Sequence, residues 1–290
     1  MENRLILGTV QMGLPYGINN SEGQISFDHC IEILNHAFEN GIRYLDTAEA
    51  YGNAHKIIGA YHSSHQHKKF DVITKLPYLF EGKLDDKING YINELSVEKL
   101  YALLFHSFQS YKDSISLIPE LHKFKEKGML RFVGVSVYTN EELKEVIHDF
   151  DIDIIQLPFN LFDNINLRGS LLQEAKKKGK IIHTRSCFLQ GIFYMPINSN
   201  HKIVKALRNE LLLIHQILKK NDLSIAQLAL NYCLQQKDID NILIGVDNVS
   251  QLYNNLKDAE VFLNEETIEE INEINIVNTN LLNPALWNTL

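Results

Sequence analysis

Short apolar runs recur along the chain and alternate with longer stretches in which apolar residues are spaced three or four apart. Most runs are apolar at nearly every position, which is typical of parallel strands buried on both faces. The spaced stretches are typical of amphipathic helices. The predicted strands are Leu5–Thr9, Ile42–Asp46, Phe70–Lys75, Leu100–Phe105, Phe132–Val135, Ile152–Leu157, Ile181–Thr184 and Asn241–Ile244.

A helical stretch follows each predicted strand. The stretches lie at 27–40, 56–61, 83–95, 116–127, 141–150, 167–178, 202–219 with 224–236, and 249–257, and another lies at 266–274. The first helix is expected to begin after Ser26 and to end at Gly41. Its expected core-facing stripe consists of Phe27, Ile31, Leu34 and Phe38.

Eight β/α units in 290 residues indicate an α/β fold of the closed (β/α)8 TIM-barrel type, with residues 1–290 forming a single domain. The runner-up is an open, doubly wound sheet. The spacing of Gly8, Gly13 and Gly17 matches neither G-x-G-x-x-G nor a P-loop, so that sheet would lack its usual glycine fingerprint.

Composition excludes several classes of partner. A net charge of −8 argues against nucleic acid, and the lysines at 176, 177, 178 and 180 are interpreted as a solvated helix end. The three cysteines (Cys30, Cys187 and Cys233) form no C-x-x-C pair, so neither a zinc site nor a disulfide framework is indicated. The histidines at 62, 65 and 67 are expected in a solvated loop, with no metal. No signal peptide or membrane span is recognised, so a cytoplasmic protein without a membrane partner is expected.

Polar side chains end three consecutive predicted strands. Asp46, Lys75 and His106 end strands two, three and four, and Tyr51 follows in the loop after strand two. In a barrel these positions share the end where active sites form. Taken singly, each has a structural explanation, such as a turn carboxylate, a buried ion pair or a core histidine. The four together favour a catalytic site.

This set of side chains suits proton transfer to a carbonyl oxygen. A phenol has a reference pKa near ~10, and a neighbouring lysine is expected to lower it while a carboxylate keeps the lysine charged. A neutral histidine beside the phenol can orient a carbonyl. Tyr51 is therefore a candidate general acid, held by Asp46, Lys75 and His106.

The motifs resemble those of the aldo/keto reductase family over nearly the whole chain. The segment 41–52, Gly-Ile-Arg-Tyr-Leu-Asp-Thr-Ala-Glu-Ala-Tyr-Gly, resembles the strand-two motif of that family, and Ile73-Thr-Lys75 resembles its lysine strand. The segment 134–138, Gly-Val-Ser-Val-Tyr, and the segment 185–191, Arg-Ser-Cys-Phe-Leu-Gln-Gly, resemble two further signatures. The resemblance implies a barrel that binds a nicotinamide cofactor without a Rossmann motif.

The resemblance also implies roles for individual residues. Tyr51 would be the acid, and Ser136 and Gln156 would hydrogen-bond the nicotinamide carboxamide. The expected nucleotide contacts are Thr9, Ser136, Gln156, Arg185, Ser186, Phe188, Gly191, Gly245, Asp247, Asn248, Gln251 and Asn255.

Three positions depart from the family pattern. Val137 replaces an asparagine, and Arg185 replaces an aromatic that stacks on the nicotinamide. The guanidinium can stack in its turn, or it can reach a substrate anion such as a phosphate or carboxylate. Asp247 stands where a cation commonly holds the 2′-phosphate of NADP. NADP(H) is the family default, and NAD(H) is possible because of Asp247.

The expected activity is reversible interconversion of a carbonyl and an alcohol on a small molecule. The opening segment and the segment 185–191 resemble members from sugar-modification pathways, which suggests a sugar or sugar-nucleotide substrate. The alternative is a catalytically weak nicotinamide-binding barrel that acts as a redox-sensing or partner-docking subunit. A metal-dependent hydrolase would need more histidines and carboxylates at the strand ends.

Overall fold

The computed structural model describes residues 3–18, 20, 23–287 and 289. Within that part of the chain, eight parallel strands form a closed barrel in which each pairs with its neighbours in sequence and the last pairs with the first. The strands are β1 Leu5–Gly8, β2 Tyr44–Asp46, β3 Asp71–Lys75, β4 Leu100–Phe105, β5 Leu130–Ser136, β6 Ile154–Pro158, β7 Ile181–Arg185 and β8 Asn241–Ile244. The predicted (β/α)8 barrel is confirmed.

The helices surround this barrel. They are α1 Val10–Gly13, α2 Phe27–Glu39, α3 Ala54–Ser64, α4 Leu84–Leu95, α5 Phe108–Asp113, α6 Ile118–Glu126, α7 Asn140–Ile147, α8 Ile165–Lys177, α9 Lys202–Ala206, α10 Arg208–Asn221, α11 Ile225–Leu234, α12 Val249–Asp258 and α13 Glu265–Asn272. Short 3-10 segments cover Ile115–Leu117, Leu189–Tyr194, Thr279–Leu282 and Pro284–Leu286, and the second is interrupted by non-helical backbone at Gln190 and Gly191. The short helices α1 and α5 have no counterpart among the predicted elements.

Two apolar layers account for the uninterrupted hydrophobic strands. One set of strand residues packs outward against the helices in the main core. The other set fills the barrel interior and comprises Ile6, Tyr44, Ile73, Tyr101, Ala102, Leu104, Phe132, Ile154, Ile181 and Leu243. Because both faces are covered, neither face of a strand needs polar residues until the strand reaches the barrel's carboxyl-terminal end.

The predicted core stripe of α2 was partly wrong. Phe27 is 51% exposed, whereas Cys30, Ile33, Leu34 and Ala37 are fully buried. Both sets of positions have helical spacing, so periodicity alone cannot choose between them. The choice is made by packing, since α2 lies between α3 and α12.

Two residues that the sequence predicts to be solvated, His62 and Lys180, are buried in the structure. His62 lies in α3, where its Nδ1 is 2.8 Å from the carbonyl oxygen of Leu95 and its Nε2 accepts from the backbone N–H of Phe70 at 3.1 Å. Lys180 is 5% exposed, and its Nζ donates to the carbonyl oxygens of Asp149 and Ile152. Each polar side chain is accommodated because backbone groups satisfy it, a tertiary contact that local composition does not reveal.

The C-terminal segment folds against the barrel. The Trp287 ring is buried, and its Nε1 donates to the carbonyl oxygen of Leu281 at 2.9 Å. Pro284 and Ala285 reach the cavity at the carboxyl-terminal end of the strands. Among the described helices, none is both long enough and apolar enough to span a lipid bilayer.

Candidate active site

A buried ion pair joins the ends of β2 and β3. Asp46 is 1% exposed and Lys75 is 2% exposed, and the Lys75 ammonium donates to Oδ1 of Asp46. Lys75 also donates to the carbonyl oxygen of Thr47 at 3.2 Å, and Gln156 Nε2 on β6 donates to Asp46 Oδ2 at 2.8 Å. Both oxygens of the carboxylate are therefore satisfied inside the barrel.

Tyr51 stands over this pair in the loop between β2 and α3. Lys75 Nζ is 5.3 Å from the centroid of the phenol ring, and the His106 ring meets it edge-on at 5.9 Å between centroids. The loop is fixed against α1, where a Cβ on Gly13 would lie 1.7 Å from the backbone oxygen of Tyr51. Only glycine at position 13 allows this approach, so α1 helps to set the position of the phenol.

The electrostatics of Tyr51 differ from the expectation that Lys75 lowers its pKa. Burial raises the pKa of Tyr51 well above the usual value of a phenol, the Asp46 carboxylate raises it further, and Arg185 acts in the opposite direction. The raised pKa keeps the phenol protonated at neutral pH. Tyr51 is thus held in the form that can give up a proton to an acceptor.

His106 is a neutral side chain at physiological pH. Burial lowers its pKa to about 4, with smaller effects of the same sign from Lys75 and Arg185. Its ring stacks on that of Tyr78 at 4.3 Å, and its Nδ1 is buried without a hydrogen-bond partner among the described residues. A neutral imidazole beside the phenol can hydrogen-bond a carbonyl oxygen without adding charge.

These groups open into a cavity of about 960 Å³ at the carboxyl-terminal end of the strands. Tyr51, Lys75 and His106 line it, and Asp46 lies behind Lys75. The predicted nucleotide contacts that also line it are Ser136, Gln156, Arg185, Ser186, Phe188, Gly191, Gly245, Asp247, Gln251 and Asn255. The structure thus brings both predicted groups of residues to one cavity.

Two of the predicted contacts do not line that cavity. Thr9 is fully buried, and its hydroxyl donates to the backbone oxygen of Asp46 at 3.0 Å. Asn248 caps α12, with its side-chain oxygen accepting from the backbone N–H of Gln251 at 2.9 Å. Thr9 therefore supports β2 and Asn248 supports α12, and neither side chain lines the cavity.

The loop after β7 adopts an uncommon backbone conformation. Ser186 has φ of 62°, and Leu189, Gln190 and Gly191 follow with φ of 44°, 51° and 93°. Left-handed backbone at non-glycine residues is strained, and such strain persists where the surroundings require it, commonly at binding sites. Gln190 Nε2 donates to the Tyr16 hydroxyl at 2.7 Å, which links this loop to the loop after β1.

Some side chains at the site carried no sequence signal. Gln11 on α1 lines the cavity, and its Oε1 is buried without a partner among the described residues. It lies against Gly245, where a Cβ would be 2.6 Å from Gln11 Nε2. His183 on β7 is buried in the barrel, with neither ring nitrogen partnered in the described part of the chain. Only the closed barrel brings these residues near the site.

The donor set fits a nicotinamide dinucleotide. Ser136 and Gln11 lie on the cavity wall, where their side chains could hydrogen-bond a carboxamide, and the side-chain oxygen of Gln11 has no partner among the described residues. The N-terminal turns of α11 and α12, represented by Ser224 and Gln251, also reach the cavity, and helix N-termini favour phosphate groups. Asp247 contributes a carboxylate whose Oδ1 is buried without a partner among the described residues, an acceptor suited to a ribose hydroxyl.

No cluster of three or more His, Cys, Asp or Glu side chains able to hold a metal ion occurs among the described residues. Cys30, Cys187 and Cys233 are buried free thiols.

Comparison with known proteins adds independent findings. The model of the Aldo/keto reductase family matches residues 4–276. The NADH-specific methylglyoxal reductase of Escherichia coli (strain K12) is 23% identical, with 93% of this chain and 95% of that protein covered. The L-galactose dehydrogenase of Arabidopsis thaliana is 25% identical, with 87% and 86% covered. An aldo-keto reductase from Bacillus halodurans, in its holo form, has the same fold, with a TM-score of 0.72 at 19% identity and with 93% and 91% covered.

Proposed function

This chain belongs to the aldo/keto reductase family of oxidoreductases, and on that premise we propose that it interconverts a carbonyl and an alcohol on a small molecule, with NAD(P)(H) as cofactor and Tyr51 as proton donor. The observation that carries the proposal is the convergence of Tyr51, Lys75 and His106 in one cavity with the predicted nucleotide contacts. A binding module alone would not need a buried ion pair beneath a protonated phenol.

The side chains divide the chemistry between them. When bound, the reduced nicotinamide supplies a hydride to the carbonyl carbon. Tyr51 Oη gives its proton to the carbonyl oxygen as negative charge develops there. His106, neutral because its pKa is about 4, hydrogen-bonds the same oxygen and orients it. Lys75, held by Asp46, places a fixed positive charge beneath the phenol and stabilises the phenolate that remains after proton transfer.

The cavity wall also bears on the choice between NADH and NADPH as cofactor. Asp247 lines the cavity, and its Oδ2 accepts from Gln251 Nε2 at 3.2 Å while Oδ1 has no partner among the described residues. A carboxylate repels a 2′-phosphate and accepts hydrogen bonds from ribose hydroxyls. These features support NAD(H) over the family default of NADP(H), and the name of the Escherichia coli relative agrees with that choice.

A polyhydroxylated substrate such as a sugar derivative suits the remaining wall. Tyr16, Tyr78 and Tyr138 line the cavity beside the catalytic groups. Aromatic rings stack on the apolar faces of sugar rings while their hydroxyls donate hydrogen bonds. One relative is named L-galactose dehydrogenase, which supports a substrate of this general kind.

The test measures nucleotide binding first and turnover second. Thermal shift with NADH and NADPH separately is expected to show binding, with the larger shift for NADH. The reduction of a panel of aldehydes and ketones is then monitored through the loss of absorbance of the reduced nucleotide. Tyr51→Phe removes the proton and keeps the ring, so it is expected to lower kcat by about 10²–10⁴ with nucleotide binding retained.

Tyr253→Phe is the matched control, since Tyr253 is 56% exposed on α12 and does not line the cavity. It is expected to leave kcat unchanged. Failure to bind either nucleotide would remove the proposal, and full activity in Tyr51→Phe would remove the proton-donor assignment. Nucleotide binding without turnover of any carbonyl would support the alternative of a nicotinamide-binding subunit.

A further inference from the structure

Arg185 at the end of β7 presents a guanidinium to the cavity. Its guanidinium carbon lies 4.0 Å from the centroid of the Tyr138 ring. Nη2 donates to the carbonyl oxygen of Val137 at 3.3 Å, and Nη1 lies 3.5 Å from Ser186 Oγ. These contacts hold the group against the ring, and they leave it without an ion-pair partner within 4.0 Å in the described part of the chain.

Nearby carboxylates are already neutralised. Asp163 binds Arg168 through both of its oxygens, at 2.6 Å to Nε and 2.8 Å to Nη2. Asp46 pairs with Lys75, so those two charges cancel. His106 is uncharged at neutral pH. Among these described groups, the Arg185 guanidinium therefore carries the one charge that no opposite charge compensates.

Two other carboxylates share the cavity wall. Asp247 interacts with Gln251, and Asp258 lies at the end of α12. Neither forms an ion pair with Arg185 within 4.0 Å. The Arg185 guanidinium opposes the rise in the pKa of Tyr51 and adds to the lowering of the pKa of His106. The charge of Arg185 thus reaches the groups assigned to proton transfer.

We propose that Arg185 binds an anionic group, a carboxylate or a phosphate, carried by the carbonyl substrate. A guanidinium presents parallel N–H donors that match the two oxygens of either group. An anion placed here would also offset the cost of keeping an unpaired charge half-buried. The substrate class is then an oxo acid or a phosphorylated aldehyde or ketone, including acidic or phosphorylated sugars. The substrate assignment rests on the proposed reductase function.

The position of Val137 is consistent with this assignment. Its side chain is fully buried in the core between the barrel and the helices, and only its carbonyl oxygen contacts the guanidinium. The residue that follows Ser136 thus supplies a backbone acceptor that orients Arg185 and offers no side chain to the cavity. Tyr138 supplies the ring on which the guanidinium rests.

The test compares turnover of carbonyls that differ in charge. Succinic semialdehyde is paired with butanal, and glyceraldehyde 3-phosphate is paired with glyceraldehyde. The protein is expected to prefer the charged member of at least one pair in kcat/KM. Arg185→Gln is expected to lower that preference by about 10- to 100-fold, as loss of a hydrogen bond to a charged group predicts. The pair that responds identifies a carboxylate or a phosphate.

Arg131→Gln is the matched control. Arg131 also lies over aromatic rings, 4.9 Å from the Phe132 centroid, but it is the second residue of β5 and lies at the opposite end of the barrel. It is expected to keep the charge preference of the parent chain. Arg185→Lys retains the charge without the planar donors and is expected to keep part of the preference. Equal kcat/KM within both pairs, or an unchanged ratio in Arg185→Gln, overturns the proposal.

A binding measurement separates this proposal from the reductase function. Succinate and inorganic phosphate are each expected to raise the melting temperature more than neutral 1,4-butanediol, and Arg185→Gln is expected to abolish the difference. If the anion effect depends on Arg185 while no carbonyl is reduced, the reductase function fails and the anion site stands. If carbonyls are reduced without any charge preference or anion effect, the anion site alone fails.

Discussion

Replacing Lys75 by methionine tests the ion pair beneath Tyr51. The change removes the ammonium and its hydrogen bonds to Asp46 and to the carbonyl oxygen of Thr47 at 3.2 Å, while a side chain of similar length remains. The Asp46 carboxylate, in a residue that is 1% exposed, then keeps the hydrogen bond from Gln156 at 2.8 Å as its one remaining partner among the described residues. Leaving one charge of a buried pair uncompensated typically costs about 3–5 kcal/mol, so Lys75→Met is expected to lower the free energy of unfolding by that amount.

The double variant Asp46→Asn/Lys75→Met removes both charges and is expected to recover about 2 kcal/mol or more relative to Lys75→Met, because no bare charge remains buried. Urea unfolding followed by circular dichroism measures each free energy. Lys176→Met is the control, since its pair with Asp240 is about one-third exposed and is worth no more than about 1 kcal/mol. A cost below about 1 kcal/mol for Lys75→Met, or equal costs for the single and double variants, would refute the reasoning.

Two further predictions concern the neighbours of this site. Burial lowers the pKa of His183 to about 4, so the unfolded chain takes up the proton first as pH falls from about 6.5, and the free energy of unfolding is expected to decline towards pH 4. His183→Gln is expected to flatten that decline in urea titrations at several pH values, and an identical pH slope would contradict the assignment. Asp247→Arg is expected to raise the affinity ratio of NADPH to NADH by about tenfold or more in paired thermal-shift titrations. An unchanged ratio would show that this side chain does not face the ribose.

The polar residues at the strand ends were predictable because each follows an apolar run and because the segments that carry them resemble motifs of the family. Asp46 and Lys75 each follow an apolar run, and a barrel sends every such end to the same face. The resemblance of the segment around Tyr51 to the family motif then gave a role to each residue. The cavity brings Tyr51, Lys75 and His106 together as that reasoning requires.

Other features could not be predicted because they depend on contacts between distant segments. The face that α2 buries was chosen by α3 and α12, and the burial of His62 depends on the backbone of Leu95 and Phe70. The pKa of Tyr51 rises because burial and the Asp46 carboxylate outweigh the opposing charge of Arg185. Burial depth depends on how the barrel closes, so no local sequence pattern predicts it.

The amino-acid sequence by itself determined the order of the strands and of the longer helices, the closed barrel, and the identity of the groups at the strand ends. Those follow from hydrophobic period and chain length, which act locally. Only the tertiary structure decided that Gln156 satisfies Asp46, that Thr9 and Asn248 support the framework, and that Arg185 rests on Tyr138 without a carboxylate partner among the described residues. Partners of this kind come from strands and loops far apart in the chain, so they exist only once the barrel has closed.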